Sequence, residues 1–198
     1  GVMLASALDE YQLITPSVNQ AELPVEKYWE SSVKTIRQVI TKSGVDTKEI
    51  AGISVSSQGE TLIVLDKQGV PLRNAIVWID NRAESQAAFL KEKLGNPYDI
   101  TGIPDIVPTW PACKIMWIRE NEPEVFQKAG KFILVQDYIL FRLTGKYVTN
   151  GSISCTTLYF DITKNEWWNK ALNAIQLLSD QLPEITGVGA GIGDTSKE

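Results

Sequence analysis

The sequence predicts an α/β or α+β domain with a mixed sheet and flanking helices. Short apolar runs bounded by turn residues, such as residues 61–65 (TLIVL) and 74–78 (NAIVW), read as strands. A helical period separates the early strands: Val25, Tyr28, Trp29, Val33, Ile36 and Ile40 recur on one face. Helical segments then dominate the second half, and strands first with helices later define this class.

Taken in order, residues 1–7 (GVMLASA) read as a strand and residues 11–15 as its hairpin partner. Pro24 opens the first helix, because a missing N–H costs nothing in a first turn. Gly44 stops that helix, supplying the left-handed conformation a C-terminus favours. Residues 51–56 (AGISVS) and 61–65 are strands around the polar turn Ser57-Gln58-Gly59-Glu60. Asp66-Lys67-Gln68-Gly69 is a hairpin turn leading toward the strand at 74–78. Residues 83–94 form a helix that Gly95-Asn96-Pro97 ends. An irregular stretch with three prolines spans 98–111, followed by helices at 112–121 and 122–128. Residues 132–135 are short and apolar, and 136–143 are helical up to Thr144-Gly145. A Ser/Thr-rich segment covers 149–157, and a helix starting at Trp167-Trp168 runs to Leu178. The Gly-rich, polar residues 187–198 contain no core element.

Composition narrows the chemistry. The chain has 198 residues, net charge −5, 43% hydrophobic residues, two cysteines and no histidine. That length suits one domain, or one and a small second, with a core large enough to need no disulfide or metal. Without histidine, this chain alone cannot build a Ser-His-Asp triad, a Cys-His pair or a His-ligated metal site. Acid–base work falls to carboxylates, Lys, Tyr or Cys. Cys113 and Cys155 have neither disulfide-framework nor zinc-ligand spacing and read as small buried side chains in a reducing cytoplasm. No apolar run is long enough to span a bilayer, so no membrane partner is expected. The acidic balance, without a polybasic cluster, argues against nucleic acid.

Four constellations can carry chemistry. Gln58-Gly59-Glu60 lies where one strand ends and the next begins, the place where open α/β sheets bind ligands. It is either a hairpin turn whose Gly supplies a positive φ, or an amide and a carboxylate offered to vicinal hydroxyls. Asp80-Asn81-Arg82 also follows a strand. Asp80 and Arg82 can pair, Asp80 or Asn81 can cap the next helix, or the group can touch a ligand. Thr109-Trp110-Pro111 offers an aromatic face that either stacks on a sugar ring or plugs a core. The run GVGAGIGD at 187–194 looks like a phosphate-cradling loop. It lacks the preceding strand, the Lys-Ser/Thr end and the following helix of a P-loop.

Residues 53–82 (ISVSSQGETLIVLDKQGVPLRNAIVWIDNR) resemble the FGGY family of carbohydrate kinases. The matching landmarks are Gln58, Asp66, Gly69, Pro71-Leu72, Ala75-Ile76, Trp78, Asp80 and Arg82. Residues 137–161 resemble the family's later "L-T-G … L-F-D" landmark, and Thr101-Gly102 and Lys114-Ile115-Met116-Trp117 fit the segment between. The resemblance implies an actin-like ATPase, RNase H-like fold and ATP-dependent phosphorylation of a sugar or polyol, of the xylulokinase or glycerol kinase type. It implies ATP and Mg²⁺ as cofactors, a cytoplasmic location, a sugar or polyol partner, and compatibility with a homodimer. It also implies substrate contacts at Gln58, Gly59, Glu60, Asp80, Arg82, and Thr109 or Trp110, with no metal ligand. Glu60 agrees with the glycerol kinase turn, whereas Gly59 does not, and the histidine of the xylulokinase turn is absent. On this resemblance residues 1–198 are a partial, sugar-binding N-terminal domain, and the ATP-binding domain is expected outside this sequence. A phosphate-binding hairpin of about 15–20 residues is expected before Gly1. The general base is expected beyond Glu198, because 182–198 fit an earlier family segment better than the base-bearing turn. The alternative is a non-catalytic sugar-binding or sensing domain of the same fold.

Overall fold

A computed structural model of the chain describes residues 1–195. The elements, in order, are β1 (Glu22–Leu23), α1 (Glu26–Ser43), β2 (Ile63–Leu65), β3 (Ala75–Ile76), α2 (Glu84–Leu94), α3 (Tyr98–Thr101), α4 (Pro111–Asn121) and α5 (Pro123–Lys128). Then follow β4 (Lys131–Ile133), α6 (Val135–Thr144), β5 (Val148–Asn150), α7 (Gly151–Ser154), β6 (Phe160–Asp161), β7 (Glu166–Trp167), α8 (Asn169–Ile175) and β8 (Glu184–Thr186).

The central layer is an antiparallel array. β1 pairs with β3, and β2 with β4. The two ladders join where Leu62 and Ile76 exchange N–H···O bonds of 2.9 and 3.0 Å. Alternate side chains leave this layer on opposite faces, as a pleated strand requires. Leu62, Val64, Ile76 and Phe132 enter one core with α2, α4 and α8. Ile63, Leu65, Ala75, Val77 and Ile133 enter a second core with Tyr28 of α1 and Tyr138 and Ile139 of α6. Because both faces are covered, residues 62–65 are apolar without alternation. β5 and β8 form a parallel pair, and β6 and β7 an antiparallel one.

The pairings are therefore mixed in direction, as expected, but they form short ladders rather than one long sheet. Residues 1–7 and 51–56 are in no ladder, and residues 11–15 contribute only the bridge between Ile14 and Glu22. A strand exists only where a neighbour supplies its hydrogen bonds, and among the described residues the backbones of 1–7 and 51–56 have no backbone partner. Val2, Met3 and Leu4 are accordingly exposed. A groove of about 620 Å³ runs between these two segments and α1 and α6, lined in part by Tyr11, Ile36, Val55 and Ile139. The helix expected from Trp167 starts later: Glu166–Trp167 pairs as β7, and α8 ends at Gln176 with φ 59°. α1 ends as expected, with Gly44 at φ 66° and its N–H on the Ile40 carbonyl.

Candidate functional site

The polar turn before β2 is held at four successive residues, each by a different part of the chain. Gln58 donates from Nε2 to the Tyr28 hydroxyl at 3.1 Å. Gly59 lies against Thr156, so closely that a Cβ on residue 59 would stand 2.9 Å from Thr156 Cγ2 and Oγ1. Only glycine fits there without a shift. Glu60 has φ 63°, a region that non-glycine residues seldom adopt. Its carbonyl accepts a 2.8 Å hydrogen bond from Lys114 Nζ. The Thr61 hydroxyl accepts the Trp78 amide at 3.0 Å. With its backbone fixed in this way, Glu60 keeps a half-buried carboxylate that makes no hydrogen bond or ion pair among the described residues.

Asp80 and Arg82 lie beside this turn but face inward. Asp80 is fully buried. Its Oδ2 accepts the Ala21 amide at 2.6 Å and Arg82 Nη2 at 2.8 Å. Its Oδ1 accepts the Arg82 amide at 3.0 Å and Nε at 2.9 Å. Arg82 also reaches Glu22 at 2.8 Å and lies over the Trp117 ring at 4.9 Å. Of the three roles the sequence allowed, pairing is the one the structure realises. The α2 N-terminus has no side-chain cap, and the Asp80 carboxylate is occupied by protein donors. The pair frames the loop that carries Trp78 and Ile79, both about half exposed.

Thr109 and Trp110 sit at the start of α4. Trp110 occupies the N-cap position ahead of Pro111, and its indole Nε1 donates to the Asp105 carbonyl at 2.9 Å. The ring is partly buried against the α2/α4/α8 core, so it serves the core and keeps only part of a face open. Thr109 is half-buried. The Ala112 amide donates to the Thr157 carbonyl at 3.2 Å, which brings the start of α4 to the Thr156-Thr157 segment that touches Gly59. The turn, the α4 N-terminus and the segment after α7 thus converge.

Four participants were not among the site residues expected from the sequence: Tyr28, Thr61, Thr156 and Lys114. Only Lys114 left a signal, as one charge inside an otherwise apolar helical run (ACKIMW). It is completely buried and also donates to the Val77 carbonyl at 3.0 Å. Burial pulls its ammonium down to about 7, against the nearby charges of Asp80 and Glu60. Burial likewise pushes the Cys113 thiol up to about 12, which makes it inert.

Residues 187–195 form neither helix nor strand. The Ile192 carbonyl accepts Lys146 Nζ at 2.7 Å, and Asp194 is exposed. The remainder of the Gly-rich tail, 196–198, lies outside the described residues. Among the described residues no three Asp, Glu or Cys side chains converge in a group able to hold a metal. Among the described residues no helix is long and apolar enough to cross a membrane.

A two-faced antiparallel layer with helices on each side, and a polar turn leading into one of its strands, define an α/β domain. Residues 1–198 match the FGGY family of carbohydrate kinases, N-terminal domain, and the chain belongs to that family. It is 34% identical over 186 residues to the xylulose kinase of Bacillus subtilis (strain 168), covering 93% of this chain and 37% of that protein. It is 33% identical over 179 residues to the glycerol kinase of Thermococcus kodakarensis, covering 87% and 36%. The crystal structure of ligand-bound xylulose kinase from Lactobacillus acidophilus superposes with a TM-score of 0.88 at 31% identity, over 96% of this chain and 38% of that one. The fold is that of sugar kinases with the actin-like ATPase architecture. The chain spans little more than a third of the length of these relatives.

Proposed function

We propose that this chain is the acceptor-binding part of an ATP-dependent kinase that phosphorylates a hydroxyl of a small sugar or polyol. The observation that carries the reading is the Glu60 carboxylate, which makes no hydrogen bond among the described residues, on a turn held by Tyr28, Thr156, Lys114 and Trp78. A fixed carboxylate accepts two hydroxyl hydrogen bonds with little ordering cost at the moment of binding. Gln58 adds an amide oxygen, Thr109 a hydroxyl, and Trp78 and Trp110 offer aromatic faces for the C–H side of an acceptor. Gly59 lets the turn approach Thr156, and Asp80 with Arg82 holds the neighbouring loop in place.

Phosphoryl transfer depends mostly on positioning and on charge stabilisation. In this reading the turn holds the acceptor so that one hydroxyl oxygen faces the γ-phosphorus of ATP. The new O–P bond forms as the β,γ-bridging bond breaks, and the hydroxyl proton leaves to a carboxylate base. When bound, Mg²⁺ would neutralise phosphate charge. Nucleotide, metal and base are assigned to none of the described residues. The reading places the protein in the cytoplasm, where ATP is available.

The test is an ADP-release assay on the polypeptide as its gene encodes it, across pentuloses, hexuloses, glycerol and other polyols. Saturable turnover on at least one acceptor is expected, and absence of turnover on all of them overturns the reading. Acceptor binding without ADP release would instead favour a sensing domain.

A further inference from the structure

Lys114 is the one lysine whose exposure falls to 0% among the described residues, yet it meets no carboxylate at ion-pair distance there. Its neighbours along α4, from Ala112 to Met116, are all buried. Burying an ammonium on neutral acceptors is costly, and a Met or Leu would fill the same slot at lower cost. What the charge does is visible in its two partners, the carbonyl of Glu60 and the carbonyl of Val77. The first belongs to the left-handed residue that carries the free carboxylate. The second lies just after β3, immediately before Trp78, and also accepts the Asp80 amide at 3.0 Å. A single Nζ therefore joins the acceptor turn to the loop that begins with Trp78.

We propose that Lys114 is a positioning residue for the acceptor site, a staple that sets the distance between the Glu60 carboxylate and the Trp78 loop. This rests on the kinase reading above. The groups acting electrostatically on the ammonium are Asp80, Glu60 and Cys113, which favour its charge, and Arg82, which opposes it.

The test compares wild type with Lys114→Met and Lys114→Gln in the gene-encoded polypeptide. Folding is checked by circular dichroism, and acceptor KM, ATP KM and amide hydrogen exchange are then measured. A folded variant is expected to raise the acceptor KM tenfold or more while the ATP KM stays within twofold. Exchange is expected to accelerate at residues 58–62 and 77–79 and not in α1 or α6. An acceptor KM within twofold of wild type in a folded variant overturns the proposal. So does failure of both variants to fold, since Lys114 would then be a general support of the core. A wild type that phosphorylates no acceptor overturns the kinase reading instead, and the exchange measurement still decides whether the staple exists.

Discussion

Arg82 grips both carboxylate oxygens of Asp80, with Nε on Oδ1 at 2.9 Å and Nη2 on Oδ2 at 2.8 Å. The pair is buried, with side-chain exposures of 3% for Arg82 and 0% for Asp80, so water does not weaken it. Removing Asp80 leaves the Ala21 amide without its acceptor and takes from the Arg82 guanidinium its bidentate partner, with Glu22 as the remaining carboxylate at 2.8 Å. Asp80→Ala should therefore destabilise the protein by about 3–5 kcal/mol, as breaking a buried ion pair does. Urea unfolding reads this directly. A loss below about 1 kcal/mol would mean that the pair is dispensable to the fold.

Glu60→Gln separates site from scaffold. The Glu60 side chain makes no hydrogen bond among the described residues, while its backbone carbonyl is held by Lys114. The substitution should leave the unfolding midpoint nearly unchanged. It should lower kcat/KM for the acceptor by about tenfold to a hundredfold, the equivalent of losing a charged hydrogen bond worth about 1.5–3 kcal/mol. Steady-state kinetics against acceptor and against ATP distinguish the two effects, because the ATP KM should not move.

Gly59 tests the close approach to Thr156. A methyl group at residue 59 would meet Thr156 Cγ2 and Oγ1 at 2.9 Å. Gly59→Ala should cost about 1–3 kcal/mol through overpacking and weaken acceptor binding. Adding Thr156→Ala removes both of those atoms, so the double variant should recover much of the loss. Thermal melts of the two single variants and the double one measure the coupling.

Asp137 gives a pH dependence with a definite sign. It is buried at the start of α6, its Oδ2 accepts the Leu134 amide at 2.9 Å, and its Oδ1 has no partner among the described residues. The nearby Thr149 hydroxyl is paired with Ser154 at 3.1 Å. Burial raises the carboxyl from 3.8 to about 7, against the opposing pull of the Leu134 amide and Thr149. Between those two values the folded protein holds a proton that the unfolded chain has released. Stability should fall as pH rises through that window, then stay low above it. Lys114 acts in the other direction at higher pH, since its depressed value makes stability rise between about 7 and 10.5. Asp137→Asn should abolish the acidic slope and leave the alkaline one, measured as unfolding free energy from pH 4.5 to 9. An unchanged acidic slope would show that Asp137 is not its source.

Much of the scaffold was legible because its signals are local. The α1 stripe and Gly44, the Asp66–Gly69 turn, the α2 and α4 boundaries and the apolar run of β2 depend on neighbours within a few residues. Residues 1–7 and 51–56 misled for the same reason. Their composition suits a strand, but a strand also needs a partner, which local pattern does not supply. At the site, the turn at residues 58–60 was found from its place between apolar runs. Asp80 and Arg82 were found as chemically capable residues, but their direction was not legible.

By itself, the sequence identified the family, placed α1, α2, α4 and the strand at 63–65, and singled out the polar turn at residues 58–60. Tertiary structure alone decided which of those side chains stay open. Asp80 and Glu60 are both carboxylates at strand ends, yet one is enclosed by Ala21 and Arg82 and the other makes no side-chain hydrogen bond among the described residues. The contacts responsible join residues far apart in the chain: Lys114 with Glu60, Thr156 with Gly59, and Tyr28 with Gln58. Backbone preference acts over a turn or two, whereas the burial and pairing of a charge depend on which distant segments the core brings against it.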